Sequence, residues 1–160
     1  MGSSLERDGT APFDIEVATS ADQRLVRALE HLLPQLSTAP PPDSAQLSQM
    51  LDSGCTTLFV AVERTAEGAG EVDAVIGVLT LVAFRLATGV RAWIEDVVVD
   101  SDQRGRGIGE ALVRAGVEAA RAAGARTVEL TSRPSRQAAN RLYSRLGFER
   151  RETNVYRLNL

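Results

Sequence analysis

The sequence predicts a mixed α/β fold of order β-α-α-β-β-β-α-β-α-β, and three observations carry that expectation. Apolar segments joined by short turns crowd the middle of the chain, as in hairpin-linked strands. Helical periods separate the later strands, as in crossover connections. One β-branched run, Val97-Val98-Val99, passes through acids and three alternate glycines directly into an alanine-rich helical pattern. At 160 residues, with 44% hydrophobic and 24% charged residues, the chain suits one globular domain with a sizeable core.

Residues 1–13 are polar, carry breakers and show no period, so a flexible tail is expected before a single domain over 14–160. Asp14 to Ala18 alternates as a short half-buried strand. Thr19 or Ser20 is placed to cap a helix whose Leu25, Leu29, Leu32 and Leu33 share a face, ending near Pro34. After Ala39-Pro40-Pro41-Pro42, Asp43 or Ser44 can cap a second helix through Leu47, Met50 and Leu51 to Gly54. Thr56 to Val62 reads as a buried strand, Glu63 to Asp73 as a turn, Ala74 to Phe84 as a strand, and Gly89 as a hairpin turn before a strand over Ala92 to Val99. Ile108, Leu112, Val113, Gly116, Val117, Ala120 and Ala123 give the next helix a wide apolar face, closed by Gly124. A strand over Thr127 to Thr131, a helix over Ser135 to Leu146 stopped by Gly147, and a final alternating strand over Thr153 to Leu160 complete the order.

Composition narrows the function. Net charge is −3 and all 18 positive side chains are arginine, a balance unsuited to general nucleic-acid binding. Neither a bilayer-spanning apolar run nor a charged-then-apolar leader is present, so a soluble, cytoplasmic protein without a membrane partner is expected. With Cys55 the only cysteine and His31 the only histidine, no internal disulfide can form and no metal is expected.

The stretch Val97 to Leu112 is what the rest of the chain is organised around, because Gly105, Gly107 and Gly109 let backbone N–H groups converge with the positive end of a helix dipole. Such a nest suits an anion, phosphate above all. A Walker loop is excluded by the absence of lysine, and the dinucleotide fingerprint by Glu110 and Leu112.

What remains, Arg104-x-x-Gly107-x-Gly109, resembles the (Gln/Arg)-x-x-Gly-x-(Gly/Ala) pyrophosphate loop of the GNAT N-acetyltransferase superfamily. Ala139-Asn140-Arg141-Leu142-Tyr143-Ser144-Arg145-Leu146-Gly147-Phe148 resembles that superfamily's late Ala-x-x-Leu-Tyr-x-x-x-Gly-Phe motif. Trp93 to Val99 is similar to the corresponding strand of glucosamine-6-phosphate N-acetyltransferases, over about one strand and its loop. The resemblance implies a GNAT fold with a splay between the fourth and fifth strands and acetyl-CoA as co-substrate. It also implies transfer of the acetyl group to a primary amine of a small molecule.

By the same resemblance, the N–H groups of Arg104, Gly105, Arg106, Gly107, Ile108 and Gly109 hold the pyrophosphate, and the backbones of Val97 and Val99 pair with pantetheine. Tyr143 is the implied acid that protonates the departing thiolate, and Glu95 the implied base toward the amine. The superfamily's asparagine seven residues before the tyrosine is Arg136 here, with Asn140 nearby, and either could reach the cofactor. Asp96 or a water relay is the alternative base, with strict alternation sending Asp96 to the face opposite Glu95 unless a β-bulge intervenes. Both acids could instead pair with Arg91 or another arginine. Arg133 and Arg136 could meet a CoA phosphate, an anionic acceptor or only solvent. Thr153, Asn154 and Tyr156 either border the acceptor pocket or belong to the last strand. Cys55 reads as a small buried or edge thiol and His31 as structural. A non-catalytic acyl-CoA-binding module and a protein N-acetyltransferase are the competing functions, and a homodimer is an assembly the resemblance allows.

Overall fold

The computed structural model describes residues 13–64 and 73–160. The expected N-terminal tail before Phe13 and most of the expected turn over Glu63 to Asp73 lie outside the described residues. The chain divides between Leu130 and Thr131 into two compact units.

The first unit is built on a five-stranded sheet of order β1-β2-β3-β4-β5. Its strands are β1 (Phe13–Val17), β2 (Thr56–Glu63), β3 (Ala74–Leu86), β4 (Gly89–Val99) and β5 (Ala125–Glu129). The first four pair antiparallel and β5 joins β4 in parallel. Helices α1 (Gln23–Leu32), α2 (Ser44–Leu51) and α3 (Ile108–Ala122) belong to the same unit. Phe13 is buried and opens β1, so the first strand takes in the last residue of the segment expected to be tail.

Capping refines the expected boundaries. Asp22, rather than Thr19 or Ser20, starts α1 by accepting from the Leu25 N–H at 2.8 Å. Asp43 starts α2 through a reciprocal box with Gln46. Pro34 sits in the first turn of a 3-10 turn, Leu33–Gln35, where its missing N–H costs nothing. Gly124, at φ +78°, ends α3 as expected.

The sheet separates two apolar layers. On one face Leu25, Leu29, Leu32 and Leu47 pack with Leu58, Val60, Val62, Val78 and Val98. On the other, α3 lies close enough that a Cβ on Gly77 would come within 3.3 Å of both Ile108 and Leu112, and one on Gly116 within 3.1 Å of Leu79. These two glycines set how closely helix and sheet approach.

The second unit contains α4 (Gln137–Arg145). The final strand expected over Thr153 to Leu160 is not formed, and Val155, Tyr156 and Leu158 are 76%, 86% and 84% exposed. Alternation encodes a strand with two unlike faces, but a strand also needs a neighbour to take its N–H and C=O groups. Among the described residues, no helix is long and apolar enough to cross a membrane.

Candidate functional site

β4 changes character halfway along. From Val90 to Trp93 it pairs with β3 and also with β5, whose register runs Val90 to Ala125, Ala92 to Val128 and Trp93 to Glu129. Beyond Trp93 the β5 ladder stops while the β3 ladder continues to Val99. β5 itself ends at Glu129, so the separation expected between the fourth and fifth strands takes the form of a ladder that ends at Trp93. It leaves the stretch containing Val97 and Val99 without a β5 partner.

A bulge sits in that same stretch. Thr80 pairs with Glu95 and Val78 with Val98, so one residue of β3 spans two of β4. Asp96 has φ +49°, the one positive-φ residue other than glycine among the described residues. The extra residue corrects the expected alternation. Ile94 pairs with Leu81 on the α3 face, while Glu95 and Val98 both share the α1/α2 face with Thr80 and Val78. Glu95 is exposed, and the Trp93 indole N–H donates to its Oε1 at 2.6 Å. Its partner is thus an indole and not the arginine considered from sequence. Asp96 is also exposed.

Past β4, Asp100 and a 3-10 turn (Ser101–Gln103) lead into the glycine loop. Gly105 and Gly107 both have φ +81°, and nothing lies within 4 Å of a Cβ built on either. Gly107 is the N-cap of α3 and offers no side chain to the first-turn N–H groups of Ile108 and Gly109. The result is an open, positively polarised helix start. Arg104 is extended and exposed. The Arg106 guanidinium turns toward the sheet, pairing with Glu63 at 2.8 Å and with the Gln103 side chain. Its side chain therefore braces the loop, leaving its backbone as the part available to a ligand.

The loop entrance is also held from α1. His31 Nε2 lies 2.8 Å from Asp100 Oδ2, and the Ser101 N–H donates to Gln35 Oε1 at 2.9 Å. Partial burial of Asp100 pushes its carboxyl upward. The hydrogen bond from His31, the Asp102 N–H, the His31 charge and Gln35 outweigh that and leave it below its ordinary value. Sequence reasoning missed Gln35 and Asp100 and read His31 only as structural. The available signal was the i,i+4 spacing of His31 and Gln35, which puts two polar side chains on one ridge.

In the second unit, Tyr143 and its surroundings follow from a helix C-terminus. The Gly147 N–H donates to Ser144 O at 3.1 Å and the Phe148 N–H to Tyr143 O at 3.0 Å, with Gly147 at φ +88°. These are the two bonds of a Schellman cap, and the hydrophobic contact that accompanies such caps is the Tyr143–Phe148 ring pair at 5.8 Å. The Tyr-x-x-x-Gly-Phe spacing is thereby explained locally. It sets a tyrosine in the last helical turn, braced by the phenylalanine. Burial raises the Tyr143 phenol above its ordinary value, against the opposing charge of Arg136, so the group keeps its proton.

Arg136 occupies the N-cap position of α4 without a side-chain cap. The Asn140 amide donates to Arg133 O at 3.0 Å, fixing the turn before α4. Ser132 Oγ is enclosed and has no hydrogen-bond partner among the described residues. Thr153, Asn154 and Tyr156 are exposed outside any strand. In the first unit, Cys55 is exposed rather than buried, and hydrogen bonding with Ser53 and then Thr56 lowers its thiol. Among the described residues no cluster of metal-ligating side chains occurs.

Comparison with known proteins gives the family and the fold. The model of the acetyltransferase (GNAT) family matches residues 23–148. Glucosamine 6-phosphate N-acetyltransferase 1 of Oryza sativa is 35% identical over 121 residues, covering 73% of this chain and 70% of that protein. An uncharacterized N-acetyltransferase of Methanocaldococcus jannaschii is 46% identical over 61 residues, which span 38% of this chain and only 27% of that longer protein. Among solved structures, a Trypanosoma brucei acetyltransferase superposes with a TM-score of 0.72 at 27% identity, covering 92% of this chain and 99% of that one. The aminoglycoside enzyme AAC(6')-Iy, solved with a CoA bisubstrate analogue, shares the fold with a TM-score of 0.69 at 20% identity, covering 92% and 98%.

Proposed function

The chain belongs to the GNAT acetyltransferase family, and on that premise we propose that it is an acetyl-CoA-dependent N-acetyltransferase acting on a primary amine of a small molecule. The observation that carries this reading is the coincidence of two openings on adjacent chain. β4 loses its β5 neighbour after Trp93, and eight residues beyond Val99 α3 begins on an uncapped glycine at φ +81°. Unpaired strand backbone suits the amides of pantetheine, and a free helix start suits a pyrophosphate.

Acetyl-CoA supplies an activated thioester carbonyl. The N–H groups from Arg104 to Gly109 hold the pyrophosphate, with Gly105 and Gly107 allowing close approach. Val97 and Val99 fix the pantetheine through their backbones. Glu95, oriented by Trp93, takes the proton of the amine directly or through water. As the N–C bond forms and the C–S bond breaks, Tyr143 gives its proton to the sulfur, and its raised pKa suits a group that must be protonated beforehand. Asn140 and Arg136 flank the start of α4 and serve the cofactor side. Alignment of the two reactants contributes much of the acceleration.

A small-molecule acceptor is supported by the rice relative, named for glucosamine 6-phosphate, and by the aminoglycoside enzymes that share the fold. The cytoplasm is the compartment this reading assigns. Calorimetry with acetyl-CoA followed by thiol-release assays over amino sugars, aminoglycosides and peptide N-termini tests it. Binding followed by CoA release with amino sugars or aminoglycosides is the expected result. Tight binding with no turnover on any amine would favour a non-catalytic module, and turnover on peptides alone a protein N-acetyltransferase.

A further inference from the structure

We infer that His31 and Gln35 form a latch that presets the cofactor loop, making them positioning residues for acetyl-CoA binding. The inference rests on the proposed role of Arg104 to Gly109. The two side chains lie one helical turn apart, at the end of α1 and in the 3-10 turn that follows it. They grip consecutive residues at the point where β4 becomes loop: His31 holds the Asp100 carboxylate and Gln35 the Ser101 N–H. Asp100 is the hub of this joint. Its N–H donates to Ile76 O at 3.0 Å, its C=O accepts from the Gln103 N–H at 2.9 Å, and its Oδ1 accepts from the Asp102 N–H at 3.3 Å.

The loop is therefore tied at two places, from the end of α1 and the 3-10 turn after it at Asp100–Ser101, and from β2 through Arg106 to Glu63. Between the ties stands Gly105, and Gly107 follows the second tie directly, so both left-handed glycines of the loop lie within or beside the tied stretch. His31 is 64% exposed, so its pair with Asp100 adds little to global stability. Its effect is local. A loop held in the binding geometry before the ligand arrives loses less entropy on binding.

The test uses the whole chain. In His31→Leu/Gln35→Leu, hydrogen exchange of the backbone from Ser101 to Gly109 should accelerate without ligand, with exchange in β2 and β3 unchanged. The Kd for acetyl-CoA should rise roughly fivefold to thirtyfold, with kcat at saturating cofactor unaltered. His31→Gln, which keeps a donor within reach of Asp100, should recover most of the His31 share. If the double variant does not fold, His31→Leu measured beside His31→Gln carries the comparison. Loop exchange equal to wild type overturns the latch whether or not the protein binds acetyl-CoA. Failure of the wild type to bind acetyl-CoA overturns the cofactor assignment and leaves the exchange result to decide the latch.

Discussion

Four α-helices begin among the described residues, and they begin in two ways. α1 and α2 start on Asp22 and Asp43, whose carboxylates accept from first-turn N–H groups, α2 with Gln46 closing the box. α3 and α4 start on Gly107 and Arg136, and neither offers a side-chain cap. The two capped helices are complete without a ligand. The two uncapped ones carry the loop and the tyrosine to which the GNAT motifs assign chemistry. A helix that closes its own N-terminus adds stability, whereas one that leaves it open keeps a partial positive charge for something else to use.

The sharpest test of this division separates chemistry from binding. Tyr143→Phe should lower kcat by roughly 10²–10⁴-fold while leaving the acetyl-CoA Kd unchanged by calorimetry. Unaltered kcat would reduce the ordered end of α4 to a structural feature. A second experiment gives α3 the kind of start that α2 has. Gly107→Asp places a carboxylate at the helix mouth, and Gly107→Asn adopts the same left-handed backbone without the charge. Acetyl-CoA should bind the Asp variant roughly tenfold more weakly than the Asn variant. Equal Kd values would mean that only the backbone conformation matters there.

The converse change is smaller. Asp43→Ala should cost about 1 kcal/mol in urea unfolding and leave acetyl-CoA binding alone, because that cap serves only its own helix. The mildest effect is in acid. The folded-state pKa of Asp100 is lowered, so its contribution is present above the ordinary carboxylate value and lost as pH falls through the folded one. Acetyl-CoA affinity should fall across that acid interval in the wild type. Asp100→Asn should flatten the decline, and an unchanged pH profile would show that the carboxylate does not govern the loop.

Much of this was legible in the residues. Hydrophobic period and breakers placed nine of the ten expected elements near their observed positions, because each signal lies within a few residues of the structure it specifies. The Tyr143–Gly147–Phe148 cap belongs to the same class, since both its bonds close between neighbours from Tyr143 to Phe148. Less visible was the bulge at Asp96. Strict alternation set Asp96 opposite Glu95 and left a β-bulge as the alternative; the register with β3 contains that bulge, and no local signal records an extra residue opposite a distant strand. The last segment failed for a related reason, as the pattern from Thr153 to Leu160 described faces and could not supply a neighbour.

Sequence alone thus determined the order and approximate extent of the helices and the glycine loop, each a property of backbone preference and spacing over short stretches of chain. Tertiary structure decided which side of β4 lies open, which face Glu95 occupies, and that His31, Gln35 and Glu63 hold the loop. Those outcomes depend on groups tens of residues apart meeting across a sheet, and their pairing is chosen by packing rather than by any neighbouring residue.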